Sequence, residues 1–579
     1  MAIEQGADEE VEGPGEPSTP LADILQDLSV SFRALAATLG NRNLRRALLG
    51  LTSFSITEWA AFIALMVYAF DQGGTAQVGL IALLQQIPAA VIAPIGSVLG
   101  DRYRRERVLL LSMAALAVSS GLAAAAMLAD ASPILVYASG CTVGYVLTLI
   151  RPTHGALLPW LAREPQELTS AYTASGLIES SSVLLGPVLT AVCFGIAEAL
   201  GLFGPGLVYA ALAGLLALGT WQVAGIRSSA RPEDAQEPDR TKIGRELGAG
   251  FRYVWSDPRP RVLVSLLGLG ALTLGFVDSL IIVIAFDLID AGQTGVGLLN
   301  AALGVGGIVG GSIALVAGSR ERLFPAFRSG VLVYGSGLAA TAALPILAPA
   351  FLATSGAGGI LGDISGRTML QRLIPDEKLT RSFGVLESAY MGFEGIGAFV
   401  GASLAIGVGP RWTLLIASSL LPVAGFLLRR KLRAVDVGAR VPAEDLALLH
   451  RTPFLAPLPR TALERVARNT VPMVIREGTV LIREGDVGDH FYLVADGTLK
   501  VTLNGREVAT HGPGGYVGEI ALLHDVPRTA TVTAMTDARL LSLEREEFLR
   551  AVTGHAPSRR AADEVAAERL AELDPDPRD

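Results

Sequence analysis

The stretch GEIALLHDVPRTATV, residues 518–532, decides how the C-terminal part of this chain folds. Gly518 lets the backbone approach a ligand closely, and the next residues predict one turn of helix whose free N–H groups suit a phosphate. Arg528 offers a planar guanidinium fork that also suits phosphate. Short β-rich runs surround this stretch, so residues 451–573 are predicted to form a compact β-roll with flanking helices.

Two dipeptides and seven short runs define the predicted strands of this roll. Asp496-Gly497 and Asn504-Gly505 are hairpin signals, because both residues of such a turn tolerate positive φ. The last residues of the domain, 557–573, are predicted to be a helix. The predicted strands lie near residues 471–475, 479–483, 490–494, 498–503, 506–510, 529–534 and 539–543.

Long apolar segments fill the rest of the chain and predict an all-α polytopic membrane domain. Of 579 residues, 51% are hydrophobic and 18% are charged, whereas soluble domains carry about a quarter charged residues. Many segments reach the ~20 residues that a helix needs to cross a bilayer. Twelve spans are expected, near residues 46–70, 76–100, 107–129, 133–161, 168–196, 204–224, 261–288, 294–318, 324–347, 349–374, 383–407 and 411–429.

The two halves of the membrane region repeat at a nearly constant shift. Ala69-Phe70-Asp71 recurs 216 residues later as Ala285-Phe286-Asp287, and Arg105-Glu106-Arg107 recurs 215 residues later as Arg320-Glu321-Arg322. A constant shift across several helices indicates duplication of a six-helix unit. Six spans in each unit give parallel repeats, related by an axis along the membrane normal.

Composition divides the chain into eight segments. The first residues are acidic and rich in Gly and Pro, which predicts disorder, and apolar residues then recur at helical spacing. That spacing fits either an amphipathic helix on the membrane surface or a helix packed on the bundle. The predicted order is a disordered segment 1–20, an amphipathic surface helix 21–44, a first half 45–224, a linker 225–260, a second half 261–432, a linker 433–450, the β-roll domain 451–573 and a tail 574–579.

Basic residues concentrate in the loops on one side of the predicted spans, and the opposite loops are almost bare. The positive-inside rule therefore places both termini in the cytoplasm. Lysine occurs only four times beside abundant Arg, Ala and Gly, which is typical of a GC-rich bacterial genome. The expected location is the bacterial inner (cytoplasmic) membrane, as a multi-pass protein in contact with the lipid bilayer.

The cysteines exclude several classes of function. Cys141 and Cys193 are the only two, and both lie inside apolar runs. They cannot form a disulfide scaffold or a Cys-rich metal site. No nucleophile–base motif and no metal-ligand spacing occurs in the sequence. We therefore expect neither an enzyme, nor a metal site, nor a catalytic cofactor.

Residues 96–105, GSVLGDRYRR, resemble the cytoplasmic Gly/Asp-Arg/Arg signature of the major facilitator superfamily. The resemblance implies a cluster that locks one half against the other through ion pairs that break as the halves rock. Val316 stands where the second copy of Asp101 would lie, so the lock is expected on one side only. A basic loop that only sets topology is the alternative. The implied gating residues are Gly96, Asp101, Arg102 and Arg105.

Charged residues inside the spans are expensive and mark functional sites by default. Glu58 and Asp278 lie deep in spans 1 and 7 without a cation nearby in sequence, and are predicted to contact substrate or a proton. The other four repeat across the halves and are expected to form the pairs Arg151–Glu179 and Arg367–Glu394. These pairs either line the transport cavity or brace the helices. The candidates are Glu58, Asp278, Arg151, Glu179, Arg367 and Glu394.

The motifs EGDVGD at 484–489 and FYLV at 491–494, with the opening stretch, resemble the cyclic nucleotide-binding domain family over about residues 450–573. The resemblance implies that Glu519 accepts a hydrogen bond from the ribose 2′-OH and that Arg528 binds the cyclic phosphate. It also implies that helix 557–573 is a lid over the base. The implied pocket residues are Gly518, Glu519, Ile520, Ala521, Arg528, Thr529 and Ala530.

Thr529 bears on which nucleotide binds. Within the family, a hydroxyl after the Arg can contact the guanine amino group, so Thr529 permits cGMP, while bacterial prevalence favours cAMP. A degenerate roll that binds nothing is the alternative. Only six residues follow Leu573, which leaves no helix-turn-helix, and a nucleic-acid partner is not expected. Homo-oligomerisation through the soluble domain stays open.

These features predict a secondary active transporter regulated by a cyclic nucleotide. Gly186-Pro187 resembles an element of the exporter branches of the superfamily, which favours export of small or amphiphilic molecules. Two alternatives remain. One is a membrane-anchored cyclic nucleotide receptor that transports nothing, and the other is an exporter of the cyclic nucleotide itself.

Overall fold

The computed structural model describes residues 40–102, 104–162, 165–226, 251–318, 323–374, 376–438, 443–458 and 460–573. The described chain divides into two compact units, one up to Asp436 and the other from Val437 onward. Several predicted segments lie outside the described residues: 1–20, all of the amphipathic helix before residue 40, 227–250 of the first linker, 439–442 of the second and the tail 574–579.

The first helix, Arg42–Arg102, contains two membrane spans that meet at a kink. The backbone leaves the helical region at Gly73 (φ −159°, ψ 21°) and at Gly74 (φ 64°, ψ −158°). The second of these conformations is open essentially only to glycine. The part before the kink is span 1 and the part after it is span 2. The sequence predicted a loop at this point, and the structure replaces it with a two-residue break.

Ten more helices complete the predicted set of twelve spans in the described part of the chain. Span 7 ends in a π-helical turn, Ile284–Leu288, and a short 3-10 turn, Pro345–Leu347, precedes span 10. Spans 3 to 12 are Arg105–Leu128, Pro133–Leu161, Pro165–Leu200, Gly204–Ala224, Pro258–Val283, Gly292–Gly318, Phe324–Ala343, Ala348–Leu373, Asp376–Val408 and Pro410–Leu427.

Length and hydropathy agree with a membrane location for these helices. Among the described residues, ten helices are long and apolar enough to cross a bilayer, and the first of them, Arg42–Ile92, has the 51 residues needed to cross twice. Span 9 is the remaining helix, and it has 20 residues with Arg328 close to its start. The expected all-α polytopic domain of two six-helix halves is therefore confirmed.

The two halves meet through two symmetric helix pairs, span 2 with span 11 and span 5 with span 8. The internal repeat relates one pair to the other, because span 2 corresponds to span 8 and span 5 corresponds to span 11. Small residues allow the close approach. A Cβ at Gly79 would lie 2.6 Å from the Cβ of Ala402, and one at Gly297 would lie 2.7 Å from the Cβ of Ala191.

The C-terminal unit is a roll of two four-stranded antiparallel sheets. Their strand orders are β1-β8-β3-β6 and β2-β7-β4-β5. The sequence predicted every strand except the two-residue β6. The strands are β1 Val471–Ile475, β2 Val480–Ile482, β3 His490–Asp496, β4 Leu499–Leu503, β5 Arg506–His511, β6 Tyr516–Val517, β7 Thr531–Ala534 and β8 Ala538–Glu544.

Only one of the two predicted hairpins is present. Asn504 (φ 49°) and Gly505 (φ 79°) join the antiparallel neighbours β4 and β5. Asp496-Gly497 does not form a hairpin, because β3 and β4 belong to different sheets. Gly497 has φ 88° and its N–H donates to the Asp496 carboxylate at 2.9 Å, so this turn carries the chain from one sheet to the other.

Five helices flank the roll, and four aromatic rings fill the space beneath them. Phe454, Phe491 and Phe548 are each no more than 1% exposed. Their rings, with that of Tyr516, meet at centroid distances between 4.9 and 6.1 Å. The helices are α1 Ala443–Arg451, α2 Arg460–Asn469, α3 Glu519–Leu523, α4 Arg545–Thr553 and α5 Ala556–Leu573.

Phe548→Ala should destabilise the C-terminal unit by about 3–5 kcal/mol, because it leaves a cavity among these rings. Scanning calorimetry of the full-length protein should show a lower midpoint for the transition of this unit. Val508→Ala, at a position 41% exposed, is the control and should leave the midpoint unchanged. An unchanged midpoint in Phe548→Ala would show that the ring cluster does not support the roll.

Candidate functional site

The predicted pocket lies where β6 ends and α3 begins. Gly518 joins them with φ 93° and ψ 1°, in the left-handed region that favours glycine. A Cβ at this position would lie 2.5 Å from Arg528 Nη1 and 2.9 Å from the carbonyl oxygen of His490. Glycine is therefore required here both by the backbone conformation and by the arginine packed against it.

Arg528 is held in place by main-chain carbonyls and is only 5% exposed. Its Nη1 donates to the Gly518 carbonyl at 3.0 Å and its Nη2 donates to the His490 carbonyl at 2.7 Å. Asp489 is the nearest carboxylate, with Oδ1 3.6 Å from Nη2. Burial lowers the pKa of Arg528 from its ordinary value. Removing the cation from water in this way strengthens its attraction for an anion in the pocket.

The loop before β3 is pinned to Arg528 by backbone hydrogen bonds. Gly485 N–H donates to the Arg528 carbonyl at 2.8 Å, and Arg528 N–H donates to the Asp486 carbonyl at 2.8 Å. The motif 484–489 and the stretch 518–532 are thus parts of one site. Their sequence resemblances pointed to the same family, and the structure brings them together.

Glu519 is 2% exposed and carries one unpartnered oxygen. Its Oε1 accepts a hydrogen bond from Arg569 Nη1 at 2.6 Å, whereas its Oε2 is buried and has no hydrogen-bond partner among the described residues. Burial raises the pKa of Glu519, and the charge of Arg569 opposes that rise. A buried acceptor without a donor is costly. Glu519 Oε2 is therefore suited to a ligand hydroxyl, as the family resemblance implied.

Arg569 is a site residue that the sequence reasoning missed. It projects from α5, the helix that was predicted to be the lid. Its Nη1 donates to the Tyr516 carbonyl at 3.1 Å as well as to Glu519. Its guanidinium lies 4.2 Å from the centroid of the Tyr516 ring. The sequence predicted the helix but no residue of it as part of the site, because the partner of Arg569 lies 50 residues away in the chain.

The other predicted pocket residues have mixed environments. Ile520, Ala521 and Ala530 are buried, and Thr529 is half-buried. Gly518, Glu519 and Arg528 thus meet at one point with Arg569. Ala521 lies against the loop before β3, since a Cβ built at Gly488 would be 2.9 Å from the Cβ of Ala521.

In the membrane unit, Arg151 lies between two carboxylates of the same half. Its Nη2 is 2.8 Å from Glu58 Oε2, and its Nε is 3.4 Å from Glu179 Oε1. The expected Arg151–Glu179 pair is therefore present. The sequence shows no cation near Glu58 along the chain, and span 4 brings Arg151 to it from 93 residues away.

The second half repeats this arrangement with different partners. Arg367 Nε is 2.7 Å from Asp363 Oδ2, and its Nη1 pairs with Glu387. The expected Arg367–Glu394 pair is wrong. Glu387 lies seven residues closer to the start of span 11, about 10 Å along the helix at 1.5 Å per residue, and so matches the depth of Arg367. Glu394 instead accepts a hydrogen bond from Gln86 Nε2 of span 2 at 2.7 Å.

Both arginine clusters contain side chains that are partly exposed. The Arg151 side chain is 52% exposed and that of Glu387 is 47% exposed. Charged groups at such depth in a membrane protein face the bundle interior or a water-filled cavity. The two arginine clusters, Glu58–Arg151–Glu179 and Asp363–Arg367–Glu387, therefore line a polar cleft.

The predicted gating motif is described in part. The helix runs through Gly96, Asp101 and Arg102, but their side chains lie outside the described residues. Arg105 donates to the Ala156 carbonyl at 3.3 Å and lies 5.7 Å from the centroid of the Trp160 ring. Both contacts are with span 4 of the same half. The role of the motif in gating stays a prediction.

Comparison with known proteins finds a family match in each unit. The family model of the Major Facilitator Superfamily matches residues 47–390 and that of the cyclic nucleotide-binding domain matches residues 472–555. The first match covers more than half of the 579 residues. Both resemblances drawn from sequence motifs are confirmed.

Curated relatives include two regulatory subunits of cAMP-dependent protein kinase. The one from Schizosaccharomyces pombe is 37% identical over 105 residues, covering 18% of this chain and 26% of the relative. The one from Yarrowia lipolytica is 41% identical over 104 residues, covering 18% of this chain and 28% of the relative. This chain thus spans little more than a quarter of either relative.

Solved structures give similar matches. The regulatory domain of Toxoplasma gondii PKA with cAMP is 24% identical, with a TM-score of 0.22, over 25% of this chain and 56% of that chain. The catabolite activator protein of Thermus thermophilus is 28% identical, with a TM-score of 0.20, over 21% of this chain and 59% of that chain.

The Glu519–Arg569 contact should appear as a coupling energy of about 1–3 kcal/mol in a double-mutant cycle. Arg569→Ala leaves the buried Glu519 carboxylate without its cation and should destabilise the C-terminal unit. Adding Glu519→Gln should recover part of the loss. Calorimetry of the four full-length proteins measures the coupling, and Arg559→Ala on the exposed face of α5 is the control. Additive effects would contradict an energetic link between α5 and the pocket.

Proposed function

Because the chain belongs to the Major Facilitator Superfamily and carries a cyclic nucleotide-binding domain, we propose that it is a secondary active transporter regulated by a cyclic nucleotide. The observation that carries the regulatory part is the pocket of Gly518, Glu519 and Arg528. It joins a desolvated cation for a phosphate to an unpartnered carboxylate oxygen for a hydroxyl. A ribose cyclic phosphate supplies both groups within one small molecule.

We propose cAMP as the regulatory ligand. The two yeast relatives are named as cAMP-dependent regulatory subunits, and the matched segment of this chain contains the pocket residues. Thr529 is half-buried beside Arg528, which keeps cGMP as the second candidate. Comparing the affinities of wild type and Thr529→Ala for the two nucleotides separates these candidates.

Contacts between the halves support a mechanism of alternating access. At the span ends away from the basic loops, the repeat-related rings of Phe70 and Phe286 stack at a centroid distance of 4.8 Å. Beside them, Gln293 Nε2 donates to Asp71 Oδ2 at 3.1 Å. We call Phe70, Phe286, Asp71 and Gln293 the outer contact. It closes this end of the bundle, while the two arginine clusters remain exposed to the cleft.

The proposed orientation places the basic loops and both termini in the cytoplasm of a bacterial cell, with the outer contact on the opposite side. The cleft is then open to the cytoplasm, and the nucleotide pocket is on the side where an intracellular signal is made. Export of small or amphiphilic molecules is the proposed direction. Gly186, from the element that favoured export, lets span 5 pack on span 1, since a Cβ there would lie 2.6 Å from the Cβ of Trp59.

Regulation is tested by transport in inverted membrane vesicles with two amphiphilic dyes, the cation ethidium and the neutral Nile red. Saturating cAMP should change the transport rate of at least one dye in wild type. Arg528→Ala should abolish the response to cAMP, since it removes the phosphate-binding cation. Arg550→Ala, which removes an exposed arginine of the same unit, should respond like wild type. Identical rates with and without cAMP in all three proteins would refute the regulatory proposal.

The outer contact should be a gate. The test uses a protein in which Cys141 and Cys193 are replaced by Ser. A short bifunctional thiol reagent should crosslink the double variant Phe70→Cys with Phe286→Cys in this background. The crosslinked protein should transport neither dye, because the halves can no longer separate at this end. Each single cysteine variant treated with the same reagent is the control. Full transport by the crosslinked protein would contradict alternating access through this gate.

A further inference from the structure

The cleft contains more carboxylates than cations. Each arginine cluster already holds two carboxylates for one guanidinium. Two further carboxylates lie in spans 7 and 11. Glu394 accepts a hydrogen bond from the neutral Gln86, and Asp278 makes no hydrogen bond or ion pair among the residues that the structure describes. The two arginines therefore leave both Asp278 and Glu394 without a compensating cation.

Helix packing brings together the segments of spans 7 and 11 that carry these two carboxylates. Gly275 allows span 7 to lie directly on span 11, since a Cβ there would be 2.0 Å from the carbonyl oxygen of Glu394. Asp278 follows Gly275 by three residues, so it is on the adjoining part of the same helix surface. The Asp278 and Glu394 carboxylates interact electrostatically. Two like charges close together inside a membrane protein are unfavourable until a proton or another cation neutralises them.

A second observation at this place is an unsatisfied hydroxyl. Tyr334 of span 9 is 6% exposed, and within the described part of the chain its buried hydroxyl has no hydrogen-bond partner. This side chain interacts electrostatically with Asp278 and with Tyr390 of span 11. Buried hydroxyls of tyrosine normally find a partner. An unpartnered one within electrostatic reach of an uncompensated carboxylate marks a position that is prepared for a ligand.

The aromatic rings near these carboxylates specify the kind of cation. The Tyr390 ring already receives a guanidinium, with Arg367 Cζ 5.2 Å from its centroid. Aromatic faces attract diffuse organic cations, and such contacts strengthen when the cation is desolvated. A site of two carboxylates, a hydroxyl and aromatic rings thus differs from an all-oxygen cage for a hard metal ion. It also disfavours anions, which includes the cyclic nucleotide as cargo.

We propose that Asp278, Glu394 and Tyr334 form a binding site for an organic cation, and that organic cations are the substrate class of this transporter. The proposal rests on the proposed transport function and adds the charge of the substrate to it. Each carboxylate replaces part of the hydration shell that the cation loses in the membrane. The Tyr334 hydroxyl either orients the carboxylate of Asp278 or forms a hydrogen bond with a polar group of the substrate.

The test is equilibrium binding to the full-length protein in lipid nanodiscs, with binding to empty nanodiscs subtracted. Tetraphenylphosphonium and tetraphenylborate have similar shapes and opposite charges, and tetraethylammonium is a smaller cation. At least one of the two cations should bind, and tetraphenylborate should not. Asp278→Asn and Glu394→Gln should each lower the affinity for that cation by about tenfold or more, the size of effect typical of a lost charge contact.

Two further variants complete the design. Asp287→Asn makes the same substitution at an exposed position of the π-helical turn that ends span 7, and it should bind the cation like wild type. Tyr334→Phe keeps the ring and removes the hydroxyl, so it should lower the affinity by a smaller factor. Retained cAMP binding and an unchanged elution volume show that each variant is folded.

Three results would overturn the proposal: binding of neither cation, equal binding of tetraphenylborate, or wild-type affinity in both Asp278→Asn and Glu394→Gln. These failures differ from failure of the transport proposal. If vesicles move Nile red but not ethidium, transport stands and the cation class is wrong. If they move neither dye while the cation binds through Asp278 and Glu394, the site stands and transport is wrong.

Discussion

Taking a charged side chain out of water is costly unless an opposite charge or a hydrogen-bond partner accompanies it, and both units are built around this constraint. Arg528 is accompanied by two main-chain carbonyls, and Glu519 by Arg569 on one oxygen only. Arg151 and Arg367 are each accompanied by two carboxylates. At Glu519 Oε2 and at Asp278 the charge is not fully compensated by a partner. We propose that these groups contact a ligand.

The incompletely partnered groups are where the two proposed activities, nucleotide sensing and transport, meet their ligands. In the C-terminal unit, Arg569 ties α5 to the residue that is free to accept a ligand hydroxyl. A ligand at Glu519 therefore changes the surroundings of α5 directly. In the membrane unit, the outer contact and the arginine clusters lie at different depths of one helix bundle, and in the proposed mechanism rocking of the halves opens one end as it closes the other. A regulatory ligand acts on such an equilibrium only through different affinities for its two states.

The sequence predicted most of the fold because its signals are local. Apolar length identified the spans, alternation and Asn504-Gly505 identified strands and a hairpin, and Gly518 with Arg528 identified the pocket. It did not predict the break at Gly73 and Gly74, because the composition of this segment fits a short loop as well as a kinked helix. The hairpin predicted at Asp496-Gly497 was wrong, because a turn signal does not specify whether the next strand returns to the same sheet.

What the sequence did not reveal about the site has one physical origin, which is contact between residues far apart in sequence. The partners Glu58 and Arg151 are separated by 93 residues, and Glu519 and Arg569 by 50. The repeat suggested Arg367–Glu394 by analogy with Arg151–Glu179, but helix depth decided the pairing, and Glu387 lies at the depth of Arg367. The internal repeat correctly predicted an ion-paired arginine in the second half but not its partner, because each half places its carboxylates at different positions.

The central claim is that a nucleotide bound in the C-terminal unit changes the state of the membrane unit. Hydrogen exchange measured by mass spectrometry on the full-length protein in nanodiscs tests it without knowledge of the substrate. Saturating cAMP should slow exchange in α5 and also change exchange in the peptides around Phe70 and Phe286, with both effects lost in Arg528→Ala. Changes confined to the C-terminal unit would contradict the account, because they would show a nucleotide that binds without regulating the transporter.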